Sequence, residues 1–95
     1  MRIFNFKKIE NFIEKHADSK TALLTWYRRT LKARWENTND IKAQYASASF
    51  LKNNRIVFNI KGNKYRLVVD VFYKEQYVII FFVGTHEEYN KIKFE

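Results

Sequence analysis

Ninety-five residues make one domain with a single core, and the absence of cysteine excludes disulfide frameworks, thiolate catalysis and cysteine-ligated zinc together. Hydrophobic residues at 46% and aromatics at 18% supply enough apolar surface for a globular fold, which sets disorder aside. Eighteen Lys and Arg against ten Asp and Glu leave a net charge of +8, which favours a polyanionic partner, either nucleic acid or an acidic protein.

Met1 to Phe6 lacks the apolar stretch of a signal peptide, and no apolar run reaches transmembrane length, so a soluble, cytoplasmic domain over residues 1–95 is expected. The basic residues do not gather opposite one apolar helix face, which ranks membrane binding last. Met1 to Phe4 reads as a short extended start. Asn5 then caps a helix that places Phe6, Ile9, Phe12 and Ile13 on one side and ends near His16. Asp18 or Ser19 caps a longer second helix, in which Leu23, Trp26, Tyr27, Thr30 and Leu31 form a buried stripe. Asn37, Thr38 and Asn39 are cap candidates for a short third helix around Asp40 to Tyr45. Ala46 to Asn54 reads as a loop.

From Arg55 the period changes to two, and three strands follow: Arg55 to Lys61, Lys64 to Tyr73 and Gln76 to Val83. Gly62 and Asn63 suit a two-residue type II′ hairpin turn, which pairs Lys61 with Lys64 and, on a core face, Ile60 with Tyr65, Phe58 with Leu67 and Ile56 with Val69. The other face then pairs Asn59 with Arg66, Val57 with Val68 and Arg55 with Asp70. A turn centred on Lys74 and Glu75 places Val83 beside Arg66 and Gly84 beside Tyr65. Thr85 and Glu88 form a capping box for a C-terminal helix that opens on His86, with Tyr89 one turn on. The predicted fold is α+β: a short N-terminal strand, two to three helices, a three-stranded antiparallel meander and a short C-terminal helix.

This layout brings His86, Tyr89, Lys61, Lys64 and Arg66 towards one edge of the sheet. RNA cleavage without a metal needs a base for the ribose hydroxyl, cations for the phosphorane and an acid for the leaving oxygen. Arg66, on a strand, suits clamping of non-bridging oxygens, because a planar guanidinium binds two at once. Lys61 and Lys64 add charge, and either serves as base if its neighbours depress its pKa. His86 is the natural proton donor or acceptor near neutral pH, and Tyr89 suits base stacking or a ribose hydrogen bond.

The plainer readings carry weight as well. A histidine opening a helix is usually an exposed polar residue, lysines flanking a hairpin commonly serve solubility, and His16 is assigned no function. Tyr89 and Phe94 are candidates for packing the last helix on the sheet. Trp26 and Trp35 read as core. Ligand spacing gives no support for a metal, and no cofactor is expected.

The runs Phe58-Asn59-Ile60-Lys61-Gly62-Asn63-Lys64-Tyr65-Arg66-Leu67 and Gly84-Thr85-His86-Glu87-Glu88-Tyr89-Asn90, with Trp26-Tyr27 and Asp40-Ile41-Lys42, resemble the HigB branch of the RelE toxin superfamily. The resemblance spans most of the chain, and its specificity lies in the combination. It implies a RelE-like fold and an endoribonuclease that cleaves mRNA, often on the ribosome. It also implies a co-expressed antitoxin, typically a helix-turn-helix repressor. Carried over residue by residue, it implies Lys61, Arg66, His86 and Tyr89 as catalytic. Asn59, Asn63, Lys64, Lys91 and Lys42 are expected to contact RNA. The chain has histidine at position 86 where the better-known RelE pattern carries another arginine, which leaves the division between acid and charge stabiliser open. The competing readings are a non-enzymatic RNA-binding module, which needs Phe72, Phe82 or Tyr89 exposed for stacking, and a domain that binds an acidic protein.

Overall fold

The computed structural model describes residues 1–92, so Phe94 lies outside the described residues. In chain order the elements are β1 (Arg2–Phe4), α1 (Lys7–Lys15), a 3-10 turn (Ala17–Ser19), α2 (Lys20–Lys32), α3 (Thr38–Gln44), β2 (Ser49–Phe50), β3 (Arg55–Ile60), β4 (Tyr65–Phe72), β5 (Tyr77–Thr85) and α4 (His86–Asn90). The α+β class and the order of elements are as expected. The sheet, however, has five strands and not three, in the order β1-β5-β4-β3-β2. β1 pairs with β5 in parallel, Ile3 beside Val78, and β2 pairs with β3 antiparallel, Ser49 beside Val57. The short N-terminal strand is as expected but joins the sheet beside β5, while β2, only two residues long, is too short for an alternating pattern to announce it. β2 lies within the segment expected to be a loop.

Helices α1 to α3 cover one face of the sheet. Ile9, Leu23, Trp26, Trp35 and Ile41 pack there on Ile56, Phe58, Leu67, Val69, Val78 and Ile80 in one continuous core. Both tryptophans are buried, and Trp35 donates its indole N–H to Gln44 Oε1 at 3.0 Å. On α2 the buried residues are Leu23, Trp26 and Thr30. Tyr27 is half-buried against Phe6, and Leu31 is 44% exposed, so the stripe is narrower than expected. Asn5 does not cap α1. It takes a left-handed φ of 69°, its side chain reaches the Ile80 carbonyl at 3.4 Å, and Phe6 occupies the cap position without a side-chain bond. Ser19 precedes α2 but turns its hydroxyl back to the His16 carbonyl at 2.7 Å. Asn37 does cap α3, accepting the Asp40 N–H at 3.2 Å.

The β3–β4 register follows the expected pairing from Arg55 with Asp70 to Ile60 with Tyr65. Lys61 does not extend the ladder. It and Gly62 take left-handed φ angles of 53° and 65°, and Lys64 N–H bonds the Lys61 carbonyl at 3.2 Å, so residues 61–64 form the connection. From Phe72 with Tyr77 to Val69 with Ile80, β4 and β5 keep the register that a turn at Lys74 and Glu75 requires. Phe81 is then an extra residue, a β-bulge, and beyond it Arg66 faces Gly84 and Tyr65 faces Thr85, one position later than expected. The bulge turns Val83 to the helical side and Phe82 to the opposite face, where Phe82 and Tyr89 pack on Val57 and Val68. A Cβ on Gly84 would stand 2.3 Å from Phe82 Cζ, so any side chain here requires the Phe82 ring to shift.

Candidate active site

The 61–64 turn and the start of α4 meet where β5 ends. The expected capping box is present: Glu88 N–H donates to Thr85 Oγ1 at 3.1 Å, and Thr85 N–H donates to Glu88 Oε1 at 2.8 Å. The Thr85 backbone N–H holds the Glu88 carboxyl below its ordinary pKa. His86 opens the helix, and its backbone N–H bonds the Lys64 carbonyl at 3.1 Å.

A cluster forms between His86, at the end of β5 beside the 3-10 turn, and Arg66 and Tyr89 on the face away from α1 to α3. The His86 Nδ1 lies 3.3 Å from the Asn63 carbonyl, and its Nε2 lies 3.4 Å from Arg66 Nη2. A carbonyl only accepts and a guanidinium only donates, so these two contacts favour the tautomer with its proton on Nδ1 and its lone pair on Nε2, facing Arg66. Arg66 Nη2 also donates to Asn63 Oδ1 at 3.4 Å, and the guanidinium carbon stands 5.1 Å from the centre of the Tyr89 ring. Among the described residues no carboxylate pairs with Arg66, and its buried Nε–H has no acceptor. An unneutralised guanidinium with a donor to spare is a fitting receptor for a phosphate.

Arg66, His86, Tyr89 and Asn63 thus come together as expected. The Lys61 and Lys64 ammonium groups bond Asp18 instead of Arg66 or Asn63, although Lys64 lines an open groove together with His86. Both ammonium groups reach to the helical side and bind Asp18 Oδ2, at 3.1 and 2.6 Å, while the buried Tyr65 hydroxyl donates to Asp18 Oδ1. The cause is local, since the left-handed φ at Lys61 ends strand alternation after Ile60. The hydrogen bond from Lys64, with those from Tyr65 and Lys61, holds the Asp18 carboxyl well below the usual carboxylate range, and the same contact raises the Lys64 pKa. That direction is the opposite of the depressed pKa that a general-base role for Lys64 requires. The bond to Asp18, with burial behind it, also raises the Tyr65 phenol.

Asn59 stands beside Arg66 in the sheet and is half-buried. Lys91 is exposed just after α4. Lys42 is placed elsewhere: its ammonium donates to the Ala48 carbonyl at 3.0 Å and lies 5.7 Å from the Phe50 ring, beside the edge strand β2. His16, left without a function from sequence, stacks on Phe12 and lines an open groove of about 600 Å³ with Lys15, Asp18, Lys64 and His86. Asp18 was expected to cap a helix, and its contacts span 43 to 47 residues, so no local pattern marks them. Phe72, Phe82 and Tyr89 are all half-buried, so the exposure required for base stacking does not by itself separate an enzyme from a binding module.

Comparison with known proteins adds a second line of observation. A family model described as HigB_toxin, RelE-like toxic component of a toxin-antitoxin system, matches residues 19–92. The mRNA interferase toxin HigB of Escherichia coli is 30% identical over 92 residues, covering 95% of this chain and 88% of the relative. The mRNA interferase HigB of Shigella flexneri matches to the same extent.

Proposed function

Because the chain belongs to the HigB family of RelE-like toxins, we propose that it is an endoribonuclease that cleaves mRNA, with Arg66, His86 and Tyr89 as its catalytic residues and residues 1–95 as one toxin domain. The observation that carries the reading is the Arg66 guanidinium, which has no carboxylate partner among the described residues and lies against the His86 Nε2 and the Tyr89 ring. Arg66 binds non-bridging oxygens of the scissile phosphate and stabilises the charge that builds there. His86, through the lone pair on Nε2, takes the proton of the adjacent ribose 2′-hydroxyl. The 2′-oxygen attacks phosphorus, the bond to the 5′-oxygen breaks, and Tyr89, the remaining donor of the cluster, protonates the leaving oxygen. The cluster's positive charge is carried by the Arg66 guanidinium, which supports a metal-independent reaction.

Lys61 and Lys64 contribute positive potential beside the phosphate, together with Asn59, Asn63 and Lys91 along the RNA path. The net charge of +8 supports attraction of the polyanion. An mRNA substrate, engaged on the translating ribosome, places the action in the cytoplasm; no helix among the described residues is long and apolar enough to cross a membrane. The family's toxin-antitoxin pairing supports a helix-turn-helix antitoxin encoded beside this chain as the second partner. Expression of wild type, Arg66→Ala and His86→Ala in growing cells tests the proposal. Wild type is expected to arrest growth and cut messages, and each variant to do neither. RNA binding and growth arrest without cleavage would favour the non-enzymatic alternative.

A further inference from the structure

The 61–64 turn is held from two sides. On the helical side Asp18, in the 3-10 turn between α1 and α2, uses both carboxylate oxygens to collect Lys61 Nζ, Lys64 Nζ and the Tyr65 hydroxyl. On the other side the same turn grips the catalytic cluster. The Asn63 carbonyl meets His86 Nδ1, Asn63 Oδ1 accepts from Arg66, and the Lys64 carbonyl accepts the His86 backbone N–H. Residue 64 therefore bonds Asp18 through its side chain and His86 through its backbone.

Asp18 supplies the turn's contacts on the helical side. Lys61 holds a left-handed φ of 53° that a non-glycine residue rarely adopts, and two ammonium groups three positions apart repel each other unless an anion lies between them. Among the described residues Asp18 is the only carboxylate that pairs with either lysine. We propose that Asp18 is a positioning residue of the RNA-cleaving site, acting through the 61–64 turn to hold His86 as the Nδ1–H tautomer with Nε2 towards Arg66. The inference rests on the function proposed above, and it adds a residue that never touches the substrate.

Asp18→Asn keeps the size of the side chain and removes its charge. Heteronuclear NMR of the ring nitrogens of purified protein is expected to report the Nδ1–H tautomer of His86 in wild type and a mixture of tautomers in Asp18→Asn. Cleavage in translating extract should fall about ten- to a hundredfold, the scale of a small misplacement of a catalytic group, while circular dichroism shows a folded protein. Asp18→Glu, which restores the anion, should recover most of both signals. A wild-type His86 spectrum in folded Asp18→Asn overturns the proposal, as does a wild-type cleavage rate. If Asp18→Asn does not fold, Lys64→Met and Tyr65→Phe each remove one donor, and an unchanged His86 tautomer in both overturns it equally. Wild-type protein that cleaves nothing, with a His86 tautomer that still depends on Asp18, would instead mark failure of the proposed enzyme activity.

Discussion

Thr85→Ala removes the hydroxyl that accepts the Glu88 N–H at 3.1 Å and leaves the reciprocal bond from Thr85 N–H to Glu88 in place. α4 has only five residues, too few to be stable alone, so its capping box is a large part of what keeps it helical. Loss of such a cap costs about 1 kcal/mol, which for a domain of this size lowers Tm by about 4–8 °C. With total stability in the usual range of about 5–15 kcal/mol, almost all molecules stay folded at room temperature. Any loss of cleavage there must then be local. His86 is the first residue of α4, so fraying of this turn moves its imidazole away from Asn63 and Arg66. Thermal melting by circular dichroism and cleavage in translating extract are the assays, and Thr85→Ser, which keeps the hydroxyl, should restore both. A Tm lowered as expected with cleavage untouched would refute the idea that α4 positions His86.

Leu23 is fully buried, so Leu23→Ala should cost about 2–5 kcal/mol in denaturant unfolding, a large share of the total. Two glycines should respond for different reasons. Gly62→Ala meets no atom within 4 Å but forces a left-handed φ of 65° on alanine, a cost of about 1 kcal/mol, whereas Gly84→Ala collides with the Phe82 ring and should cost about 1–3 kcal/mol. Asp18 and Glu88 both have lowered pKa values in the folded protein. The unfolded chain therefore takes up protons first on acidification, so their contribution is complete above the ordinary carboxylate pKa of about 4 and is lost as pH falls below it. Acid unfolding of an Asp18→Asn, Glu88→Gln double variant should show a flatter limb below that pH, and an unchanged limb would contradict the assignment.

Much of this architecture is legible in the sequence because it rests on short-range rules. The β3–β4 ladder follows from the Gly62-Asn63 connection and alternation, and the capping box from Thr85 and Glu88 alone. What escaped depends on distant contacts. A single bulge at Phe81 shifts the far end of β5 by one residue and brings Gly84, not Val83, beside Arg66. Nothing in the uniformly apolar run from Tyr77 to Val83 marks which residue is the extra one. The short strand β1 is legible, but not its parallel pairing with β5, and that docking is what takes the Asn5 side chain to the Ile80 carbonyl and away from a cap. The candidate site divides similarly. Arg66, His86 and Tyr89 converge through register and helix start. The lysine side chains depart from alternation because Lys61 is already in the turn, and Asp18, their counterion, lies more than 40 residues away.

The most direct test of the account is the chemistry of the RNA ends. Messages recovered after expression of wild type should carry 2′,3′-cyclic phosphate or its opened form on the upstream fragment and a 5′-hydroxyl on the downstream one. Arg66→Ala and His86→Ala should leave the same messages intact. Fragments with 5′-phosphates, or equal cutting by wild type and both variants, would contradict attack by the ribose 2′-oxygen at this site.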